Sequence, residues 1–162
     1  MPNTRPLVIV FLAASAFMYV MCLPHQVVCT GGGCSGGWSG FFVAAFGWLE
    51  IIGIGRASLL VVLSWYANPA VWTAWGLLFG RLYIGAAAAA LIALILALGY
   101  RTGTHILVSE SGGADAISGV GAGYWLWVAS MGLAFTGALV GLAQRAEERP
   151  RTIRNHRPRR QP

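Results

Sequence analysis

Charged side chains are scarce in this chain, and lysine is missing altogether. Only 10% of the 162 residues are charged, whereas soluble domains carry about a quarter. The eleven basic residues are all arginine, the acidic residues number only five, and 57% of the chain is hydrophobic. This composition argues against a water-soluble globule. It predicts one helical membrane domain without a second folded domain.

The sequence also lacks the residue sets that specify a reaction. It contains no nucleophile–base pair, phosphate-binding loop or histidine cluster, and its three histidines lie in separate segments. Four early residues have side chains that zinc accepts, but their spacing matches no compact zinc site; they are Cys22, His25, Cys29 and Cys34. We therefore expect no catalytic residue, no bound metal and no cofactor.

The longest apolar stretch covers residues 57–100 and contains a single formal charge, that of Arg81. This stretch is too long for one crossing, because about 20 helical residues traverse a hydrocarbon core of roughly 30 Å. We therefore predict two membrane spans, 57–78 and 83–100, which fold back on each other at a tight turn around Arg81.

Two further apolar segments flank this hairpin. Residues 6–23 form the first and stop at Pro24, whereas residues 119–143 form the last and include an aromatic cluster typical of membrane interfaces. A cleaved signal peptide is the alternative for the first segment, but its Ala-x-Ala motif lies inside the apolar run, too early for cleavage. The predicted fold class is an all-α membrane protein, a four-span helical bundle.

Residues 41–54 are apolar but do not make a further span. If residues 41–66 formed one helix, Glu50 and Arg56 would lie near its centre, each at a cost of about 2.5–3.5 kcal/mol. We predict instead a short interfacial or re-entrant helix between spans one and two. Trp38 and Trp48 would lie at the level of the lipid headgroups.

Arginine is concentrated near the end of the chain, where seven of the eleven arginines lie between residues 145 and 160. Positive charge next to a span stays cytoplasmic. This predicts a bacterial inner (plasma) membrane protein with the N- and C-termini both cytoplasmic. Residues 150–162 are expected to be a disordered basic tail, without a nucleic-acid partner. The arginines predicted to contact lipid headgroups are Arg145, Arg149, Arg151 and Arg154.

The cysteines offer one candidate cross-link. In an outward-facing loop, Cys29 and Cys34 can close a disulfide, and a structural clip, incidental thiols and a redox-active pair all remain open. Four spans with an outer cysteine pair are similar to the disulfide-forming quinone oxidoreductases of bacterial inner membranes. Those enzymes use Cys-x-x-Cys and a second pair in the other outer loop. Here the spacing is Cys-x4-Cys and residues 101–118 contain no cysteine, so the resemblance does not bring the activity with it.

The dipeptide Asn68-Pro69 interrupts the second predicted span. It is typical of a helix start or of a helix interruption, because asparagine caps free amides and proline lacks a backbone donor. Ionisable groups at membrane depth and broken helices are both features of transport sites. Glu50, Asn68 and Thr73 are therefore candidates for an intramembrane polar site. A kink used only for helix packing is the alternative.

Small residues recur at helical spacing in the last two spans. The predicted helix-packing residues are Gly85, Ala89, Ala93, Ala97, Gly137 and Gly141. Besides the lipid bilayer, they favour a second copy of the chain or other membrane proteins as partners. Residues 64–69 and 123–130, with the early cysteine loop, resemble small uncharacterised bacterial inner-membrane proteins with four spans. This resemblance implies a fold and brings no known activity.

The function expected from the sequence is that of a structural or accessory subunit that binds other membrane helices. The first alternative is a periplasm-facing thiol/disulfide or quinone-linked redox enzyme acting through Cys29 and Cys34. The second is a small transporter or channel lined by Glu50, Asn68 and Thr73.

Overall fold

The computed structural model describes residues 5–30, 33–53, 58–107 and 114–155. Within these ranges the chain is mostly helical, and the segments between the helices form a small sheet. The helices are α1 (Arg5–Cys22), α2 (Gly40–Phe46), α3 (Leu59–Ser64), α4 (Ala67–Phe79), α5 (Tyr83–Gly99) and α6 (Ala122–Asn155). The strands are β1 (Gln26–Thr30), β2 (Gly33–Ser39), β3 (His105–Leu107) and β4 (Ala114–Val120), and 3₁₀ turns cover Gly47–Gly53 and Tyr100–Thr102.

Among the described residues, two helical segments are long and apolar enough to cross a membrane, judged by length and composition. They are Tyr83–Thr102 and Ala122–Glu147, and the shorter apolar helices cover Pro6–Cys22 and Gly40–Leu49. Alanine and leucine dominate α5, and both are strong helix formers. The helices α1, α5 and α6 thus lie where the first, third and fourth spans are predicted.

The second predicted span is divided into two helices. A turn at Trp65 and Tyr66 separates α3 from α4, and the backbone N–H of Asn68 donates to the Trp65 carbonyl at 3.0 Å. Pro69 lies in the first turn of α4, where helix amides have no intrahelical partner and a missing N–H is tolerated. The predicted interruption is confirmed, but it precedes Asn68. The Asn68 side chain is therefore not the cap of α4.

The last helix is longer than predicted. It continues through Pro150 to Asn155, beyond the predicted span of residues 119–143 and into the first part of the basic tail expected at residues 150–162. Glutamate, glutamine, alanine and arginine before the proline are strong helix formers and favour continuation. The rest of the predicted tail, residues 156–162, lies outside the described residues.

The prediction of an all-α chain is wrong for the segments at one end of the bundle. These segments form a four-stranded antiparallel sheet in the order β2-β1-β4-β3. The central pair joins distant parts of the chain, since Val28 of β1 lies opposite Val120 of β4. The sheet therefore ties the two inter-helix segments together.

The glycines of β2 are typical of a loop, and the sequence therefore predicts a loop rather than a strand for this segment. Gly37 lies so close to the Val28 carbonyl of β1 that a Cβ atom at this position would clash with the backbone. Glycine in a strand often marks such a close backbone approach. β1 itself has a recognisable strand composition, and Val27 and Val28 are both buried.

The core of the bundle lies between helices that expose large side chains on their outer surfaces. α6 packs against α1 and α5, and α5 packs in turn against α4. The predicted turn at Arg81 is confirmed, since α4 ends at Phe79 and α5 begins at Tyr83. The fully buried core residues are mostly small or aromatic; they include Val71, Ala74, Ala90, Ala93, Tyr124, Met131 and Ala134.

The predicted short helix at residues 41–54 corresponds to α2 and the 3₁₀ turn that follows it. Its aromatic residues Phe41, Phe42 and Trp48 are exposed. The segment is held to the bundle by Trp65, whose Nε1 donates to the Ala44 carbonyl at 3.2 Å.

Candidate functional site

A buried polar cluster joins three helices around Asn68. The Asn68 side chain is 2% exposed, and its Oδ1 atom accepts hydrogen bonds from two other helices. The Tyr19 hydroxyl of α1 donates at 3.0 Å, and the Trp127 Nε1–H of α6 donates at 2.9 Å. An indole N–H can only donate, so its contact fixes which side of the amide is the oxygen. Asn68 is thus the central acceptor of the cluster.

A second layer of polar contacts lies one helical turn away on α1 and α6. The Ser15 hydroxyl donates to the Ser130 carbonyl at 2.6 Å, and Trp75 Nε1 of α4 donates to the Ser15 hydroxyl at 2.8 Å. Ser15 and Ser130 are both completely buried. The same three helices are therefore connected twice, and a buried donor without its acceptor would cost about 1–3 kcal/mol.

A small cavity lies beside this cluster, between α1, α6 and α2. Its volume is about 10 Å³, and Tyr19, Cys22, Asn68 and Trp127 contribute to its wall. A space of this size holds about one water molecule. It is far smaller than the several hundred Å³ of a typical ligand pocket. The Cys22 thiol is free and buried at this position.

The cysteine pair predicted from the sequence is joined in the structure. Cys29 of β1 and Cys34 of β2 form a disulfide, with their Cα atoms 4.3 Å apart. Cys29 is buried and Cys34 is exposed. The disulfide therefore cross-links β1 and β2, and its Cys34 residue is exposed.

Thiol labelling checks this pairing. Under denaturing conditions without reductant, we expect a maleimide reagent to modify one cysteine, Cys22, and after reduction all three. A Cys22→Ser variant is the control, because it should remain unlabelled until reductant is added. Labelling of three thiols before reduction, in protein purified from an oxidising compartment, would contradict the disulfide.

Two of the residues proposed for an intramembrane polar site, Asn68 and Thr73, do not share one surface. Asn68 faces the bundle interior, whereas Thr73 is exposed and its hydroxyl donates to the Pro69 carbonyl of its own helix at 2.8 Å. The Glu50 side chain lies outside the described residues. Within the described ranges, no group of three metal-binding side chains comes together.

The small residues predicted for helix packing lie largely at contacts within the chain. Ala93 and Ala97 are buried, whereas Gly85 and Ala89 are half-buried. A Cβ atom at Gly137 would lie 2.8 Å from Cβ of Phe11 on α1, and one at Gly141 would clash with the Tyr83 ring on α5. These glycines therefore let neighbouring helices of the same chain approach closely.

Two arginine–aromatic contacts involve α6, one near its start at Trp125 and one at Arg145, ten residues before its end at Asn155. The guanidinium carbon of Arg145 lies 5.5 Å from the centre of the Tyr83 ring, and that of Arg101 lies 5.4 Å from the centre of the Trp125 ring. The other predicted headgroup contacts belong to side chains outside the described set; they are Arg149, Arg151 and Arg154.

Sequence reasoning missed most of the Asn68 cluster. Ser15 and Tyr19 are four residues apart within an apolar helix, and Trp127 and Ser130 are three apart in another. Such spacings place polar groups on one face of a helix. This signal was available in the sequence, but it does not reveal which helix supplies the partner.

Comparisons with known proteins do not assign this chain to a family. No protein-family model, no curated protein and no solved structure matches it significantly.

Proposed function

We propose that this protein crosses a lipid bilayer four times and serves there as a structural or accessory subunit. The crossing segments are α1, residues 59–79 comprising α3 and α4, α5 and α6. The observation that carries the proposal is the pair of arginine–aromatic contacts at Trp125 and Arg145, which bound the uncharged part of α6.

The distance between these contacts fits the thickness of a membrane. Trp125 and Arg145 are 20 positions apart on α6, and at 1.5 Å per residue they lie about 30 Å apart along the helix. The hydrocarbon core of a bilayer is roughly 30 Å thick. No charged residue occurs between these positions in the sequence. Aromatic rings and arginine side chains both favour the level of the headgroups, which supports a membrane boundary at each contact.

The outer surface of the bundle supports the same environment. Large apolar side chains are exposed along α1 and α5, while buried polar groups face inward. Soluble monomers rarely expose contiguous apolar surface of this kind, and lipid tails would cover it. Exposed examples on the two helices are Ile9, Val10, Phe17, Ile92, Ile95 and Leu98.

The proposed orientation places the Arg145 end in the cytoplasm, following the preference of positive charge for that side. Arg81 belongs to the same end, because it begins the chain reversal into α5 beside Tyr83. The sheet and its disulfide then lie outside the cytoplasm, where disulfides persist. The exposed aromatic residues of α2 are consistent with a helix that lies at the outer interface.

An accessory role fits the interior better than transport or catalysis does. The helices are joined by Asn68, Ser15 and small-residue contacts, and the cavity beside Asn68 has room for about one water molecule. Because the small-residue faces are occupied within the chain, a partner helix would dock on the large apolar side chains outside. A second copy of the chain or another membrane protein would suit this surface.

Extraction in a mild detergent tests the accessory role. We expect the protein to co-purify with a stoichiometric membrane partner or as a defined oligomer, resolved by native mass spectrometry. A matched sample in a harsher detergent should lose the partner while keeping the fold. A protein that stays monomeric in mild detergent and in native membranes, by cross-linking, would contradict the proposed role.

Thiol chemistry is the second candidate function, favoured by the exposure of Cys34 within the disulfide. An exposed sulfur can be attacked by a thiolate from another protein, which is the first step of disulfide exchange. Purified protein should then transfer its disulfide to a reduced dithiol substrate, with Cys34→Ser as the control. A disulfide that does not exchange would contradict this second function and would leave a purely structural role for the bond.

A further inference from the structure

The turn between α4 and α5 has an arginine where a glycine is normally found. The Arg81 N–H donates to the Leu78 carbonyl at 3.0 Å, and the Leu82 N–H donates to the Leu77 carbonyl at 2.8 Å. This pair of bonds forms a Schellman motif, which requires a left-handed residue after the helix, usually glycine. Here Arg81 has φ of 59°, whereas Gly80 has φ of −75°, which any residue adopts.

The backbone of Arg81 is strained, and within the described residues no hydrogen bond, ion pair or ring contact of its side chain explains the choice of residue. No other described non-glycine residue has a positive φ. An L-residue in this conformation brings Cβ close to a carbonyl oxygen, and such strain is often retained where a side chain has a function. The Arg81 side chain is exposed, and its guanidinium has no hydrogen bond or ion pair with any part of the chain that the structure describes. The guanidinium is therefore free to bind a group outside the chain.

A second guanidinium lies close to the same turn. Arg145 of α6 stacks on the Tyr83 ring, and Tyr83 follows Arg81 by two residues. Two peptide units span at most about 7.6 Å between Cα atoms, so both arginines belong to one small region. Gly141 lets the Tyr83 ring lie against α6. Glu147 is two positions beyond Arg145, a spacing at which helical side chains do not face each other.

Strongly exposed apolar side chains surround these two arginines. Phe79 is 85% exposed and Ile84 is 75% exposed, and Leu82 between them is also exposed. Apolar side chains next to guanidinium groups fit the boundary between acyl chains and headgroups. A soluble anion would use the charges but would leave the apolar residues in water.

We propose that Arg81 and Arg145 together bind the phosphate of an anionic phospholipid in the leaflet next to this turn. Guanidinium groups match phosphate oxygens with paired hydrogen bonds. Two positive charges favour a headgroup without its own ammonium group, as in phosphatidylglycerol. This lipid site rests on the proposed membrane location, because only a protein in the bilayer would have Phe79, Leu82 and Ile84 among the acyl chains.

Lipid titration of the purified full chain tests the site. Native mass spectrometry would follow retention of phosphatidylglycerol and of phosphatidylcholine by the wild type, by Arg81→Gly and by Arg145→Gln. We expect the wild type to prefer phosphatidylglycerol and each substitution to weaken that binding roughly fivefold. Arg101→Gln is the matched control, because Arg101 also stacks on an aromatic ring but at the opposite end. It should leave the preference within about twofold of the wild type.

Arg81→Gly also separates lipid binding from folding. Glycine relieves the left-handed strain, so the thermal midpoint in lipid-free detergent should rise or stay unchanged while phosphatidylglycerol binding falls. Unchanged phosphatidylglycerol preference in Arg81→Gly and Arg145→Gln would overturn the proposal. So would competition by inorganic phosphate at the same concentration as the lipid, which would indicate a soluble-anion site.

Failure of the site and failure of the membrane location give different results. Protein released from membranes by alkaline carbonate would contradict the membrane location and the lipid site together. Protein that resists carbonate, but whose lipid preference is insensitive to Arg81→Gly, would contradict the lipid site alone.

Discussion

Replacing Asn68 with leucine is expected to lower the free energy of unfolding by about 2–4 kcal/mol. The substitution removes the acceptor of two buried donors, the Tyr19 hydroxyl and the Trp127 indole N–H. Each buried donor left without a partner costs about 1–3 kcal/mol. Unfolding in mixed micelles, followed by tryptophan fluorescence, would measure the change.

Two further variants isolate the hydrogen bonds from other effects. Thr73→Val on the exposed side of α4 should change stability by no more than about 0.5 kcal/mol, because its hydroxyl bonds only within its own helix. Tyr19→Phe combined with Asn68→Leu should cost less than the sum of the single changes, because both remove the same bond. An Asn68→Leu protein as stable as the wild type would show that the cluster does not hold the helices together.

Gly137→Ala is expected to destabilise the protein by about 1–3 kcal/mol, as overpacking of a tight core does. The new Cβ would lie 2.8 Å from Cβ of Phe11, an atom fixed to the α1 backbone. Rotation of the Phe11 side chain cannot move its own Cβ atom. The two helices α1 and α6 would therefore have to separate. The same unfolding assay would measure the loss.

Gly132→Ala is the matched control on the same helix. A Cβ at Gly132 meets no heavy atom within 4 Å, so alanine should act only through helix propensity. That effect stabilises by up to about 1 kcal/mol. The two glycine-to-alanine changes should therefore have opposite signs. Equal effects would mean that α1 and α6 do not pack as described.

The sequence was sufficient to predict the features that depend on local composition. The apolar runs predicted α1, α5 and α6, the lone charge at Arg81 predicted the turn, and Cys29 and Cys34 were a candidate pair that is joined in the structure. Each of these follows from residues close together in the chain.

Features that depend on contacts between distant residues could not be predicted in this way. β1 pairs with β4 across most of the chain, and glycine in β2 hid a strand that needs close backbone approach. The acceptor role of Asn68 depends on which face each of α1, α4 and α6 turns toward the others. The sequence shows that each helix carries polar residues, but only packing brings Tyr19 and Trp127 to the same oxygen.

The strain at Arg81 was also hidden in the sequence. Gly80-Arg81-Leu82 predicts a turn, and glycine would be assigned the left-handed position by default. The helix instead ends one residue later, so that arginine takes this position. Only the backbone conformation reveals that arginine, rather than glycine, takes the left-handed position.

Reporter fusions combined with alkaline extraction test the four-crossing membrane location most directly. A fluorescent protein fused after Pro162 should be fluorescent, alkaline phosphatase inserted between β3 and β4 should be active, and both fusions should stay in membranes at high pH. Active phosphatase at Pro162, or release of the untagged chain by alkaline carbonate, would contradict the account.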